Sequence, residues 1–355
     1  MRLLSSALCT TVAVALLAGC GGSNTSSPTA ALPGGGTGMT AGHHAAPVMA
    51  IPKWAIPKVR PPFHGIRAPK SQTRGIYVGE FYGSNILGYK RRNVGNKAPF
   101  CTVPASYANS IAVDNAKNLI DPDGGSRSVI IYGGPAMCGS ASATIADPYG
   151  QPSDASSQNA MTGPIAVGNI TDSTGVGSVS ICTVSGGCTT NLTSSAITGY
   201  GGGVAMDNSG NCYMTSENSS FSATIMTYWA GCSGSGTTAT GYVNNSYGGL
   251  EIDNSGNIVS VDANFSTGAS QLYVYSGCNP ACTVVGGPYP LHGATLFARL
   301  NKANGRLAGV EYVNGQVDIY NYSATGGLTY LYSFNNGLTT SLQPEGIAWQ
   351  PKSNQ

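Results

Sequence analysis

The sequence predicts an all-β chain, a six-bladed β-propeller, on three observations. A short apolar motif recurs about every 47 residues, each copy leads into a Gly-containing turn and further strand-like runs, and the two ends of the array supply complementary parts of one unit. Composition agrees. Gly reaches 50 and Tyr 19 of 355 residues while only 9% are charged, and no segment holds the 3.6-residue apolar spacing of an amphipathic helix.

From the N-terminus, Arg2 and the apolar run of residues 3–18 have the layout of a secretory signal, so residues 1–19 are expected to be removed. The run is too short and mixed to span a bilayer, which takes roughly 20 mostly apolar residues. Its end, Leu17-Ala18-Gly19-Cys20, resembles the lipobox of bacterial lipoproteins. That resemblance implies lipidation of Cys20 as the first mature residue. Gly21 and Gly22 follow instead of Asp, which by the sorting rule of such lipoproteins implies the outer membrane. The expectation is a lipid-anchored protein of the bacterial cell envelope, held durably because each buried methylene contributes about 0.8 kcal/mol.

Residues 20–50 are rich in Gly, Ser, Thr, Ala and Pro and read as a flexible tether. Residues 51–74 are basic as well as Pro-rich, with an echo in Ile51-Pro52-Lys53 and Ile56-Pro57-Lys58. Proline spacing there favours extended chain. Such a segment is either a solvated linker or a docking arm for an anionic surface, the envelope or the acidic body of the same chain.

The propeller is expected over residues 75–351. First-strand copies are read at Ile111-Ala112-Val113-Asp114-Asn115, Ile165-Ala166-Val167-Gly168-Asn169, Val204-Ala205-Met206-Asp207-Asn208 and Leu250-Glu251-Ile252-Asp253-Asn254, with a degenerate copy at 297–301 and a last one at Ile347-Ala348-Trp349-Gln350. Gly in the following turn supplies the positive φ of a tight hairpin. Third strands are read at 128–132, 179–183, 223–229, 271–275 and 316–320, and outer strands at 283–285 and 329–332. The stretch beginning Gly75-Ile76-Tyr77-Val78 starts as a second strand, whereas Glu345-Gly346-Ile347-Ala348-Trp349 is a first strand with nothing after it. Joined, they complete one blade and leave no open sheet edge.

These units resemble NHL-type and gluconolactonase-type six-bladed propellers, whose repeats run Gly-Ile-Ala-Val-Asp, a Gly-Asn turn and a second strand ending in an acid. The fold implied hosts scaffolds, lactonases, lyases and signalling domains alike. Lactonase-type members hold a divalent metal with Glu, Asn and Asp near the starts of the innermost strands. Here those starts read Gly163-Pro164, Gly202-Gly203, Gly248-Gly249 and Gly346, which leaves Asn109 and Glu345 as candidate ligands for Ca²⁺ or Mg²⁺. A lyase resembling the virginiamycin-inactivating propellers would need a catalytic His, and His292 is the one His of the propeller region.

Charge divides the chain. Ten of the seventeen Lys and Arg lie between Lys53 and Lys97, while from Ala98 onward six face fourteen Asp and Glu. An acidic body without clustered cations is not built for nucleic acid. Aligned second strands place one acid at each end: Glu80, Asp123, Asp172, Glu217, Asp262 and Glu311. Either each accepts N–H groups within its loop, or together they form an acidic face for a cation or for the basic segment. The Asp-Asn-Ser-Gly-Asn runs at Asp207 and Asp253 lack the remaining acids of an EF-hand and read as turns.

Eight Cys remain once Cys9 and Cys20 are set aside, an even number in an exported chain. Proximity suggests Cys101 with Cys138, Cys182 with Cys188, Cys212 with Cys232, and Cys278 with Cys282. The expected function is a monomeric, non-catalytic module without a cofactor that binds a protein or carbohydrate. The alternative is a metal-dependent hydrolase or lyase working in the central channel.

Overall fold

A computed structural model describes residues 75–133, 138–218, 223–264 and 267–350. The signal segment, Cys20, the tether and the basic segment lie outside these residues. Strands β1 (Gly75–Glu80), β2 (Asn85–Lys90) and β3 (Cys101–Pro104) open the first blade. The second is β4 (Ala112–Val113), β5 (Leu119–Asp123), β6 (Ser128–Tyr132) and β7 (Ala143–Ala146), and the third β8 (Gly150–Ser157), β9 (Ile165–Asp172), β10 (Ser178–Thr183) and β11 (Gly187–Leu192). The fourth comprises β12 (Gly201–Met206), β13 (Cys212–Glu217), β14 (Thr224–Trp229) and β15 (Thr237–Thr238), the fifth β16 (Leu250–Ile252), β17 (Ile258–Asn264), β18 (Ala269–Ser276) and β19 (Thr283–Pro290). The sixth holds β20 (Thr295–Leu300), β21 (Arg306–Glu311), β22 (Gln316–Ser323) and β23 (Gly327–Phe334), after which β24 (Pro344–Trp349) returns to pair antiparallel with β1.

The result is six four-stranded antiparallel sheets. Their innermost strands touch in the cyclic order β24, β4, β8, β12, β16, β20 and back to β24, so the ring is closed and the third blade faces the sixth across the axis. Closure by β24 on β1 is the joint that the chain ends predicted.

Burial explains which strands were visible in sequence. β1, β13 and β20 are buried at every position because neighbouring blades cover both faces of each sheet, which calls for runs of Val, Ile, Leu, Tyr and Ala. The outer strands β11 and β19 are covered less, with a single buried residue each, so they carry a weak apolar signal.

The third blade corrects the sequence reading. Ile165-Ala166-Val167 belongs to β9, a second strand, and Gly163-Pro164 is therefore not an inner-strand start. The inner strand is β8, whose polar Ser153, Asp154, Ser156 and Ser157 hide the repeat. Asp154 explains that polarity, as described below.

The Asp-Asn-Ser-Gly-Asn runs are hairpin turns. Asp207 accepts from the Asn211 backbone and side-chain nitrogens at 2.8 Å each, and Asp253 accepts the same pair from Asn257 at 2.9 Å each. Gly210 takes the positive φ, +79°, that this turn requires.

Four disulfides join Cys101–Cys138, Cys182–Cys188, Cys212–Cys232 and Cys278–Cys282, the pairs that proximity suggested. Three lie within single blades. Cys101–Cys138 instead ties β3 of the first blade to the segment before β7 of the second.

Candidate functional site

The axial channel has a seal in its middle and a mouth at the end where the inner strands begin. The seal is Arg299 on β20. Its guanidinium donates to Asp154 Oδ1 of the opposite blade at 2.5 Å, to Ser110 Oγ at 3.1 Å and to the Leu250 carbonyl at 2.7 Å. Asp154 also accepts from Ser110 Oγ and the backbone N–H groups of Ala155 and Val204. Glu251 Oε2 lies 3.8 Å from Arg299 Nε. Every charge in this crossbar has an opposite neighbour, which is the condition for keeping charges buried. Phe297 sits beside it, with the guanidinium carbon 5.9 Å from its ring centre. Beyond the crossbar, toward the inner-strand ends, a cavity of about 30 Å³ lined by Glu251, Arg299, Ser156, Met206 and Trp349 has room for one or two waters.

At the mouth, the glycines that open the inner strands admit aromatic rings. A Cβ at Gly249 would come within 2.7 Å of the Phe297 ring, and one at Gly202 within 2.6 Å of the Tyr247 ring. Larger residues at these positions would displace rings that fill the channel. The exceptions, Asn109 and Glu345, begin neighbouring inner strands: Gly346 packs against Ala108 and Ser110. Glu345 is 1% exposed, and neither carboxyl oxygen has a hydrogen-bond partner, nor does Asn109 Oδ1. Burial pushes the Glu345 carboxyl well above the usual range.

Tyrosines from five blades belong to or pack against one core cluster, and the Glu345 charge reaches three of them, Tyr82, Tyr247 and Tyr312. Tyr82 follows β1, Tyr107 precedes β4, Tyr200 precedes β12, Tyr247 precedes β16 and Tyr312 follows β21. Phe81, Tyr82 and Tyr107 meet edge to face, with centroids 4.8, 5.6 and 6.4 Å apart. Burial first, then the Glu345 charge, raises Tyr82 to about 12; burial with the Glu345 and Glu311 charges raises Tyr312, and burial with the Glu217 and then the Glu345 charge raises Tyr247. Tyr82 and Tyr200 keep partial exposure, whereas Tyr107, Tyr247 and Tyr312 are buried. Tyr107 and Gln343, each two residues before Asn109 or Glu345, adopt φ of +56° and +46°. For bulky side chains such backbone is strained by about 1–2 kcal/mol, and strain of this kind gathers at functional sites.

The six aligned acids fall into two settings. Asp172 is half-buried and accepts from the Thr174 N–H and hydroxyl. Glu80, Asp123, Glu217, Asp262 and Glu311 are at most 2% exposed, so they do not make the solvent-facing acidic surface that the alignment allowed. They organise loops instead. Asp123 takes the Ser126 N–H, Glu311 the Asn314 N–H, Asp262 the N–H groups of Asn245 and Ser246, and Glu217 the Ser246 hydroxyl. Burial raises Glu80 and Glu217 to about 7 against opposing hydrogen bonds, and it raises Asp262 as well.

His292 stands in the loop before β20, its ring 4.6 Å from that of Tyr330 on the outer strand β23. This places it against the rim, away from the axis. Among the described residues, the one group of three acid, His or Cys side chains close enough to share a metal is Asp147, Cys182 and Cys188. Its two sulfurs are spent in a disulfide. Sequence reasoning missed the Arg299–Asp154 crossbar and the tyrosine cluster. Both left traces: Arg299 ends an interval without Lys or Arg that starts at residue 128, and Tyr107, Tyr149, Tyr200 and Tyr247 recur at nearly the blade period.

The fold resembles the periplasmic gluconolactonase of Pseudomonas aeruginosa, with a TM-score of 0.52 and 10% identity over 78% of this chain and 98% of that one. It also resembles a Bacteroides caccae protein of unknown function, with a TM-score of 0.53 and 11% identity over 78% and 98%. This chain is a six-bladed β-propeller. A hydrazine synthase chain from Kuenenia stuttgartiensis is matched over only 65% of its own length, at a TM-score of 0.46 and 13% identity. No protein-family profile matches the sequence, and no curated protein is significantly similar to it.

Proposed function

We propose that this chain is a lipid-anchored envelope protein whose propeller binds a ligand at the channel mouth. The carrying observation is Glu345, a buried carboxyl without a hydrogen-bond partner whose charge reaches Tyr82, Tyr247 and Tyr312, in a channel closed by Arg299 and Asp154. Aromatic faces beside a polar group suit recognition of a small ligand or an exposed residue of a larger one. Lipidation at Cys20 would hold the propeller at the membrane. The test is binding of the mature chain to arrayed glycans and envelope fractions, compared with Tyr82→Ser and Tyr200→Ser. Loss in both variants supports the mouth as the binding face, and undiminished binding removes it.

A lactonase-like hydrolase is the second reading, favoured by Glu345 and Asn109 standing side by side at inner-strand starts, in a fold like that of the Pseudomonas aeruginosa enzyme. The donors fall short of a divalent metal. Ca²⁺ takes six to eight oxygens, mostly from several acids, and the inner-strand starts bring one carboxylate and one amide. Lactone hydrolysis that needs added Ca²⁺ or Mg²⁺ and is lost in Glu345→Gln would establish this second reading.

A further inference from the structure

The Cys182–Cys188 disulfide differs from the other three in its neighbour. A carboxylate oxygen of Asp147, in the loop between β7 and β8, lies within 4.8 Å of both sulfurs. Among the described residues, no other disulfide has a carboxyl or imidazole that close to both of its sulfurs. The two sulfurs have different settings. Cys188 is half-buried beside the exposed turn at Ser185-Gly186, whereas Cys182 is 0% exposed, in a core cluster with Ile120, Val129, Ile131 and Ile145 of the second blade. An incoming thiolate therefore reaches Cys188, and Cys182 becomes the leaving group. A thiolate stranded at Cys182 would be a buried charge without a partner, so exchange needs a proton delivered there.

Asp147 is placed to deliver it. Its Oδ1 accepts from the Tyr149 N–H at 3.0 Å and the Ser180 hydroxyl at 2.9 Å, which fixes the side chain. Its Oδ2 is buried without a hydrogen-bond partner. Burial raises the carboxyl above its usual range against those hydrogen bonds, toward the protonated form. A small side-chain movement or one water spans the remaining distance to sulfur.

We propose that Cys182–Cys188 is a redox-active disulfide that exchanges with an external dithiol, with Asp147 as the proton carrier for Cys182. One thiolate of the dithiol attacks Cys188 Sγ, the S–S bond breaks, and its electron pair leaves on Cys182 Sγ, which takes the Asp147 proton. The second thiolate then attacks the mixed disulfide and releases Cys188 and the oxidised, cyclic dithiol. The two protons that the dithiol loses to solvent restore Asp147 and protonate Cys188, so two electrons and two protons pass to the cysteine pair.

The folded mature chain is treated with dithiothreitol, quenched at intervals with iodoacetamide, and mapped by peptide mass spectrometry. Cys182 and Cys188 are alkylated at least about tenfold faster than Cys212 and Cys232, whose disulfide likewise has one buried and one half-buried sulfur. Asp147→Asn slows that reduction at least about tenfold and leaves Cys212–Cys232 unchanged. A merely structural Asp147 gives the opposite result, because a loosened loop opens the disulfide and speeds its reduction. Reduction no faster than that of Cys212–Cys232, or only once urea unfolds the chain, overturns the proposal. So does reduction that is as fast or faster in a folded Asp147→Asn variant. The order of reduction within the unaltered chain is decisive against it even where the variant fails to fold.

Discussion

The Arg299 guanidinium meets Asp154 Oδ1 at 2.5 Å from the diametrically opposite blade, with the two side chains 6% and 0% exposed. Removing one partner strands the other charge. Arg299→Met is expected to lower unfolding free energy by about 3–5 kcal/mol, and adding Asp154→Leu to recover much of the loss. Urea titrations of the two singles and the double variant measure the coupling. Additive losses would mean that the crossbar does not act as a pair.

The same pair marks where sequence stopped being informative. Closure by β24 on β1, the blade count and the third strands were legible because strands covered on both faces must be continuous apolar runs. β8 was not, because Asp154 answers a charge that lies 145 residues away in sequence. Likewise the alignment found the acids that end the second strands, yet burial of Glu80 and Glu217 depends on how loops of adjacent blades fold over them. The mouth was half legible: Asn109 and Glu345 stood out from the glycines around them, whereas the convergence of tyrosines needs the closed ring.

Stability should fall as pH rises. Burial lifts Glu80 and Glu217 to about 7 from 4.5, and burial with the nearby Glu311 charge lifts Asp318 to about 7 from 3.8. Between the unfolded and folded values the native state holds more protons, so its advantage is complete below about pH 4 and is lost through pH 7, at up to about 1.4 kcal/mol per unit per group. Melting temperatures from pH 5 to pH 8 should drop by several degrees, about one third as steeply in a Glu80→Gln, Glu217→Gln double variant, which keeps one of the three groups. A melting temperature that climbs over this range contradicts the assignment.

The disulfides should differ in worth according to loop length. Cys101–Cys138 closes a separation of 37 residues and Cys278–Cys282 one of 4. Chain entropy puts the first at about 4 kcal/mol and the second at about 2 kcal/mol. Replacing each pair by Ala and measuring urea midpoints tests the order, and equal losses would show that loop length does not govern them.

Cys20→Ser should move the protein from the membrane to the soluble fraction with the propeller's melting temperature unchanged. Mature variant that stays membrane-bound would place the anchor elsewhere.

The pairing of β1 between β24 and β2 has a mechanical side. A pull on the N-terminal end of β1 runs along the strand, so its hydrogen bonds to both neighbours are loaded in shear and must fail together instead of unzipping one by one. If the propeller hangs from its N-terminus, the strand that receives the tension is the one stitched on both sides, by the chain's own far end as well as its near neighbour.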